Sequence, residues 1–205
     1  MKTRLEMETD YLEVEKLVRD SFWNVLYRPG AYEHFIVHNL RNDESFVSKL
    51  AYVIEDDGKI VASINYSKGK ISYENDIVPA LILGPIAVDR NCQNHGLGSQ
   101  LIDYTLEIVQ KDNVPFVLVV GDENYYSRFG FVNASEYGLY LDGTDLDEEN
   151  PFFMIRVFDE GKLKNERGIF QNPDVFDVDE TELDEFDRQF EYKEKLVLDT
   201  QLKEL

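Results

Sequence analysis

The chain has 205 residues, 43% hydrophobic and 13% aromatic, with a formal net charge of −20. That composition is globular and long enough to bury a full core, which excludes a disordered chain. The acidic balance speaks against nucleic acid as a partner and leaves a cationic acceptor admissible. The single cysteine, Cys92, excludes an internal disulfide. No stretch approaches the roughly 18 apolar residues of a membrane span, so a cytoplasmic protein without a membrane partner is expected.

In chain order, Lys2 to Met7 alternates polar and apolar residues and predicts an opening edge strand. Asp10, with Glu13 three residues on, predicts the N-cap of a helix over 11–22 whose apolar face is Tyr11, Val14, Leu17, Val18 and Phe22. Pro29-Gly30 breaks the chain, and Tyr32, Phe35, Ile36, Val37 and Leu40 predict a second helix ending near Arg41. His34 and His38 stand four apart on it, the spacing of two metal ligands. No third ligand is evident, so an exposed helix face is expected and no metal. Leu50 to Glu55 and Ile60 to Tyr66 flank Asp57-Gly58 and predict a hairpin.

The stretch from Ala80 to Val88 reads as a buried central strand interrupted by Gly84-Pro85, where ladder pairing should fail. A polar turn follows, then a helix over 97–111 with Leu97, Leu101, Ile102, Leu106, Ile108 and Val109 inward. A strand, a glycine turn and a helix N-terminus make a site for a phosphorylated ligand. A dinucleotide fingerprint would need glycine where Leu101 stands, and the Gly-Lys-Ser/Thr of a triphosphate loop is absent. Phe116 to Val120 is the next strand, Asn124 to Phe129 a short helix closed by Gly130, and Phe131-Val132, Leu139 to Leu141 and Phe152 to Phe158 later strands. Glu160-Gly161-Lys162 predicts a hairpin turn with Arg167 to Phe170 returning. Thr181 is expected to cap a short helix with Leu183, Phe186 and Phe190 inward, and Lys193 to Leu198 to form another short element.

Gln93-x-x-Gly96-x-Gly98-Ser99 resembles the acetyl-CoA signature of the GNAT superfamily of N-acetyltransferases, Gln/Arg-x-x-Gly-x-Gly/Ala. Gly121-Asp122-Glu123-Asn124-Tyr125-Tyr126-Ser127-Arg128-Phe129-Gly130-Phe131 is similar to the family's later motif, a Tyr four residues before Gly-Phe, and Tyr126 holds that place. The resemblance covers about residues 2 to 158. It is nearest to a poorly characterised bacterial branch that carries this string and a C-terminal extension. It implies the GNAT acyl-CoA N-acyltransferase fold, an α/β (α+β) architecture. In that fold a mixed, mostly antiparallel sheet has a splayed central strand pair and helices on both faces. A transferase domain over 1–158 and an acidic extension over 159–205, packed on the domain or on a partner subunit, are expected.

The resemblance also implies the chemistry. Backbone groups of Ile86, Ala87 and Val88 would pair with the pantetheine arm of acetyl-CoA. The turn Gln93, Asn94, His95, Gly96, Leu97, Gly98 and Ser99 would hold its pyrophosphate, and Asn124 would touch the arm. Tyr126, protonated at neutral pH, is the expected general acid for the departing thiolate, with Tyr125 the fallback. An amide near Ile86 or Ala87 would polarise the thioester carbonyl. No general base can be named, since Ala80 to Leu83 contains no carboxylate. The acceptor is expected to be an amine of a small molecule or peptide, near the helices of 11–41, where Trp23, Tyr27 and Tyr32 either line its pocket or pack. A homodimer is reasonable. The competing readings are a non-catalytic acyl-CoA-binding sensor or interaction module and a nucleotide-dependent enzyme of doubly wound fold.

Overall fold

The structure is a computed structural model that describes residues 1–25, 28–146, 150–199 and 201. Its elements in chain order are β1 (Lys2–Leu5), α1 (Tyr11–Phe22), α2 (Glu33–Leu40), β2 (Tyr52–Asp56), β3 (Lys59–Ser72), β4 (Ile77–Val88) and α3 (Leu97–Lys111). Then follow β5 (Phe116–Val120), α4 (Glu123–Tyr126), β6 (Val132–Asn133), β7 (Leu139–Leu141), β8 (Phe153–Val157), β9 (Gly168–Gln171) and α5 (Glu180–Asp187). The chain forms two compact units, one of residues 1–65, 85–101 and 174–205, the other of 66–84 and 102–173.

In the first unit β1 pairs antiparallel with β2, and β2 with β3 from Tyr52↔Ile64 to Asp56↔Lys59. Asp57 (φ +47°) and Gly58 (φ +78°) form the turn, the two left-handed residues that a tight hairpin demands. The register shifts at Ile54/Glu55, so Ile60 and Ser63 share the face of Val53 despite their odd spacing. That face packs on α1 and α2 through Val14, Leu17, Val18, Val37, Val53, Ile60 and Ala87. Ion pairs lock the helices to the strands: Arg4 grips Asp10 at 2.6 Å and Glu55 at 2.9 Å, and the buried Arg41 holds Glu6 and Glu15, each at 2.7 Å.

Asp10 does not cap α1. Its carboxylate accepts from the Met7 N–H at 2.8 Å and from Arg4, whose hydrogen bond holds it below the usual carboxylate range. Glu13 instead accepts from the Ile60 N–H at 2.9 Å. A nearby arginine outbids the local backbone for Asp10, because a charge-assisted bond is the stronger one. The helix is formed as expected.

Residues 174–201 belong to this unit. Asp179, not Thr181, caps α5, accepting from the Thr181 and Glu182 N–H groups at 2.8 and 3.0 Å, and Thr181 sits inside the helix. Leu183 is buried, and Phe186 and Phe190 pack on His34 with ring centroids 5.7 Å away. Asp187 takes both Arg19 (2.7 and 3.1 Å) and His34 Nε2 (3.0 Å). His34 is therefore fully buried, not part of an exposed helix face. Lys193 to Leu198 has no regular secondary structure. The backbone carbonyl of Glu194 accepts from Trp23 Nε1 and Asn24 Nδ2, each at 3.0 Å, so Trp23 is buried as packing. Tyr27 lies outside the described residues.

In the second unit β5 pairs parallel with β4 at Leu81↔Val117 to Leu83↔Val119 and antiparallel with β8 along its whole length. β8 also pairs with β6. β9 pairs antiparallel with Lys70–Ser72 of β3 and parallel with β7, so the expected hairpin of β8 with 167–170 is not made. The turn at Glu160–Lys162 carries the chain away because Phe170 is drawn onto the aromatic core, stacked on Phe153 at 5.8 Å. Ile71, Ile82, Phe116, Leu118, Phe153, Ile155 and Phe170 form that core.

Candidate active site

The parallel ladder of β4 with β5 ends at Leu83, one residue before Gly84, whose φ of +139° a residue with a side chain rarely adopts. Pro85 then removes a donor. Beyond the break, Ala87 is buried against α1 and α2 while Ile86 and Val88 are half-buried.

The turn after β4 is pinned mostly by its own side chains. Val88 O accepts from Ser21 Oγ at 3.0 Å and from Gln93 Nε2 at 3.3 Å. Asp89 N–H donates to Val61 O, and its carboxylate accepts from the Asn91 backbone and side-chain N–H groups at 2.8 and 3.0 Å. His95 Nδ1 lies 3.3 Å from Cys92 O. Arg90 is spent on Trp23 O at 2.9 Å. Asn94 (φ +63°) and Gly96 (φ +82°) turn the chain in left-handed conformations, and Gln100 N–H then closes the first helical bond onto Gly96 O.

Gln93, Asn94, His95 and Gly96 are exposed, whereas Leu97 and Gly98 are buried and Ser99 is half-buried. Leu97 therefore has only its backbone to offer a ligand. The first backbone N–H groups of α3 have no carbonyl one turn back to bond, which gives the turn a positive end suited to an anion.

Ile86 to Ser99 thus lie together in the first unit; Asn124, Tyr125 and Tyr126 belong to the second. There Asp122 caps α4, accepting from Asn124 N–H at 2.9 Å and from its side-chain amide at 3.1 Å, and Gly130 (φ +76°) ends the segment. Tyr126 is buried, edge-on to Tyr125 (5.1 Å) and Phe131 (5.8 Å). A side chain at Gly121 would collide with the Tyr126 ring, so glycine is what lets the phenol pack beside the end of β5. Burial, then the neighbouring Tyr125, pushes the Tyr126 phenol above its usual range and keeps it protonated near neutrality. Tyr66, buried in the same unit, hydrogen-bonds Thr105 on α3 at 2.9 Å and is held protonated by the same burial.

Two features escape the sequence reading. Glu33, at the first turn of α2, is a buried carboxylic acid whose pKa burial pushes up to about 7. Ser63 and Asn65 alternate with Ala62, Ile64 and Tyr66 along β3, a pattern that reads as one solvated face, yet all five are buried. The only sequence signal is that alternation itself.

The chain matches the family model described as acetyltransferase (GNAT) domain over residues 5–134. It therefore belongs to the GNAT acetyltransferase family. It is 27% identical over 139 residues to the uncharacterized N-acetyltransferase YhbS of Escherichia coli strain K12, covering 68% of this chain and 78% of that one. It is 32% identical over 96 residues to the uncharacterized N-acetyltransferase YjhQ of the same strain, covering 47% and 53%. The fold agrees. The crystal structure of Escherichia coli YhbS in complex with CoA superposes with a TM-score of 0.72 at 23% identity, covering 86% of this chain and 92% of that one. A GNAT acetyltransferase from Brucella melitensis in complex with acetyl-CoA gives 0.66 at 23% identity, covering 85% and 97%. No helix among the described residues is long and apolar enough to cross a membrane.

Proposed function

We propose that this GNAT enzyme transfers the acetyl group of acetyl-CoA to an amine of a small molecule or peptide by direct attack. The observation that carries the reading is the break at Gly84-Pro85 followed by a pinned, exposed turn at a helix N-terminus. The amides of Ile86 to Val88 hold the pantetheine arm, and the backbone of Gln93 to Ser99 holds the pyrophosphate, with the Ser99 hydroxyl and the Asn94 and His95 side chains in reach of it. The likeness to proteins crystallised with CoA and acetyl-CoA supports this assignment of the donor.

The amine lone pair attacks the thioester carbon while an amide near Ile86 or Ala87 steadies the carbonyl oxygen. As the carbon–sulfur bond breaks, the sulfur takes a proton from the Tyr126 hydroxyl, the acetylated nitrogen gives its extra proton to solvent water, and the tyrosinate regains a proton from solvent. Its raised pKa keeps the proton available until the thiolate forms. Asn124 contacts the arm. Residues 1–158 carry the transferase and 159–205 form the extension, whose exposed Tyr192 and Val197 support docking on a second copy.

Calorimetric titration with acetyl-CoA, with NAD as the control, tests the donor site. Thiol release across a panel of primary amines, with Tyr126→Phe as reference, tests the chemistry. Micromolar acetyl-CoA binding with Tyr126-dependent turnover is expected. No binding at millimolar acetyl-CoA defeats the reading, and binding without turnover of any amine points to the sensor.

A further inference from the structure

Buried polar side chains are almost always hydrogen-bonded, because burial strips them of water and only a partner compensates. Ser63, Asn65 and Ser67, alternating along β3, depart from this. The Ser63 hydroxyl and both ends of the Asn65 carboxamide, Oδ1 and Nδ2, are buried with no hydrogen-bond partner among the described residues. Each residue is 1% exposed. Ser63 stands opposite Val53, which packs against α1 and α2, and Asn65, two residues on, shares its face of the strand. The β2 ladder ends at Tyr52↔Ile64, so Asn65 lies one residue beyond the point where β2 covers that edge of β3.

Resting on the acetyl-transfer reading above, we infer that Ser63 and Asn65 recognise a neutral amide group carried by the acceptor amine. The chemistry selects this class. A carboxamide presents one acceptor and two donors in one plane, which matches the C=O and N–H of another amide in a two-bond pairing. A hydroxyl two residues away adds a further donor or acceptor on the same side. Neither group carries charge, so neither would compensate a desolvated ammonium or carboxylate, for which an ionic partner is needed. The acceptor is therefore an amino amide or peptide-like amine, not a simple polyamine. Acetyl-CoA also contains amides, so the test separates donor from acceptor.

The experiment uses the full chain with Asn65→Leu, which keeps the volume and removes the polar ends, and Ser63→Ala as the milder second variant. Thiol release from acetyl-CoA is measured with glycinamide and β-alaninamide beside ethylamine and propylamine, and acetyl-CoA affinity by calorimetry. The wild type is expected to show kcat/KM at least about ten-fold higher for the amide-bearing amines, because a site built for hydrogen bonds penalises the analogue that leaves it unpaired. Both variants should collapse that preference towards one, bind acetyl-CoA with unchanged Kd, and melt at a higher temperature, since an unpaired buried group is gone. No preference in the wild type overturns the inference. So does a weakened acetyl-CoA Kd in the variants, which would give the pair to the donor, or a lowered melting temperature, which would show that the groups are paired within the protein. Failure of the wild type to bind acetyl-CoA is a different result and removes the parent reading.

Discussion

Glu33 offers the sharpest test of the physical reasoning. Its carboxylate accepts the Tyr32 N–H at 3.0 Å but lies buried at the start of α2, and burial raises its pKa from 4.5 to about 7. A raised carboxylate pKa means that the folded state binds the proton more tightly than the unfolded chain. The stabilisation is fully present below about pH 4.5 and is lost as pH rises through 7. At about 1.4 kcal/mol per pK unit, the charged form penalises folding by about 3 kcal/mol above pH 8. Glu33→Gln keeps an oxygen for the Tyr32 N–H and cannot ionise. It should match the wild type near pH 5 and exceed it by up to about 3 kcal/mol at pH 8.5, some 5 to 10 °C in Tm for a chain of this size. Thermal and urea unfolding of both proteins at each pH measures the difference, and other titrating groups cancel in the comparison. Carboxyl-carbon NMR gives the Glu33 pKa directly. Parallel stability curves across that range, or a pKa near 4.5, would refute the burial argument.

Further outcomes follow from the same geometry. Tyr126→Phe, which keeps the ring packed against Phe131, should lower kcat by about a hundred-fold or more while leaving the acetyl-CoA Kd unchanged. Gly96→Ala meets no obstacle in space but must adopt φ +82°, so it should cost about 1–2 kcal/mol in unfolding experiments and weaken acetyl-CoA binding in calorimetry. Asp187→Ala strips the buried Arg19 of its partner and should destabilise the fold by about 3 kcal/mol in denaturant titrations. Burial alone would raise the Asp187 carboxyl, but its bonds to His34 and Arg19 outweigh that and hold it well below the usual range. The stability it adds is present above about pH 4 and drains away in stronger acid, so the variant should lose that acid-dependent part of the unfolding curve.

Local periodicity and turn chemistry were enough to read α1, α3, β5, the Asp57-Gly58 hairpin and the Gly130 terminus, because each rests on residues adjacent along the chain. The signature Gln93 to Ser99 and the string around Tyr126 stand out in the sequence for the same reason: each is a short run of residues at fixed spacing, and spacing is visible in one dimension. The carboxylates were not legible. Asp179 took the cap expected of Thr181, while Asp10 turned from its helix to Arg4 and His34 found Asp187 153 residues away, these last two choices settled by a charge that folding brought near. The destination of β9 escaped for a related reason: a strand's sequence records what it buries but not which neighbour it pairs with. Tertiary structure alone decided that the polar alternation of β3 is buried and that Glu33 is buried enough to hold its proton near neutrality. Burial is a property of what packs around a side chain, and no single stretch of sequence carries it.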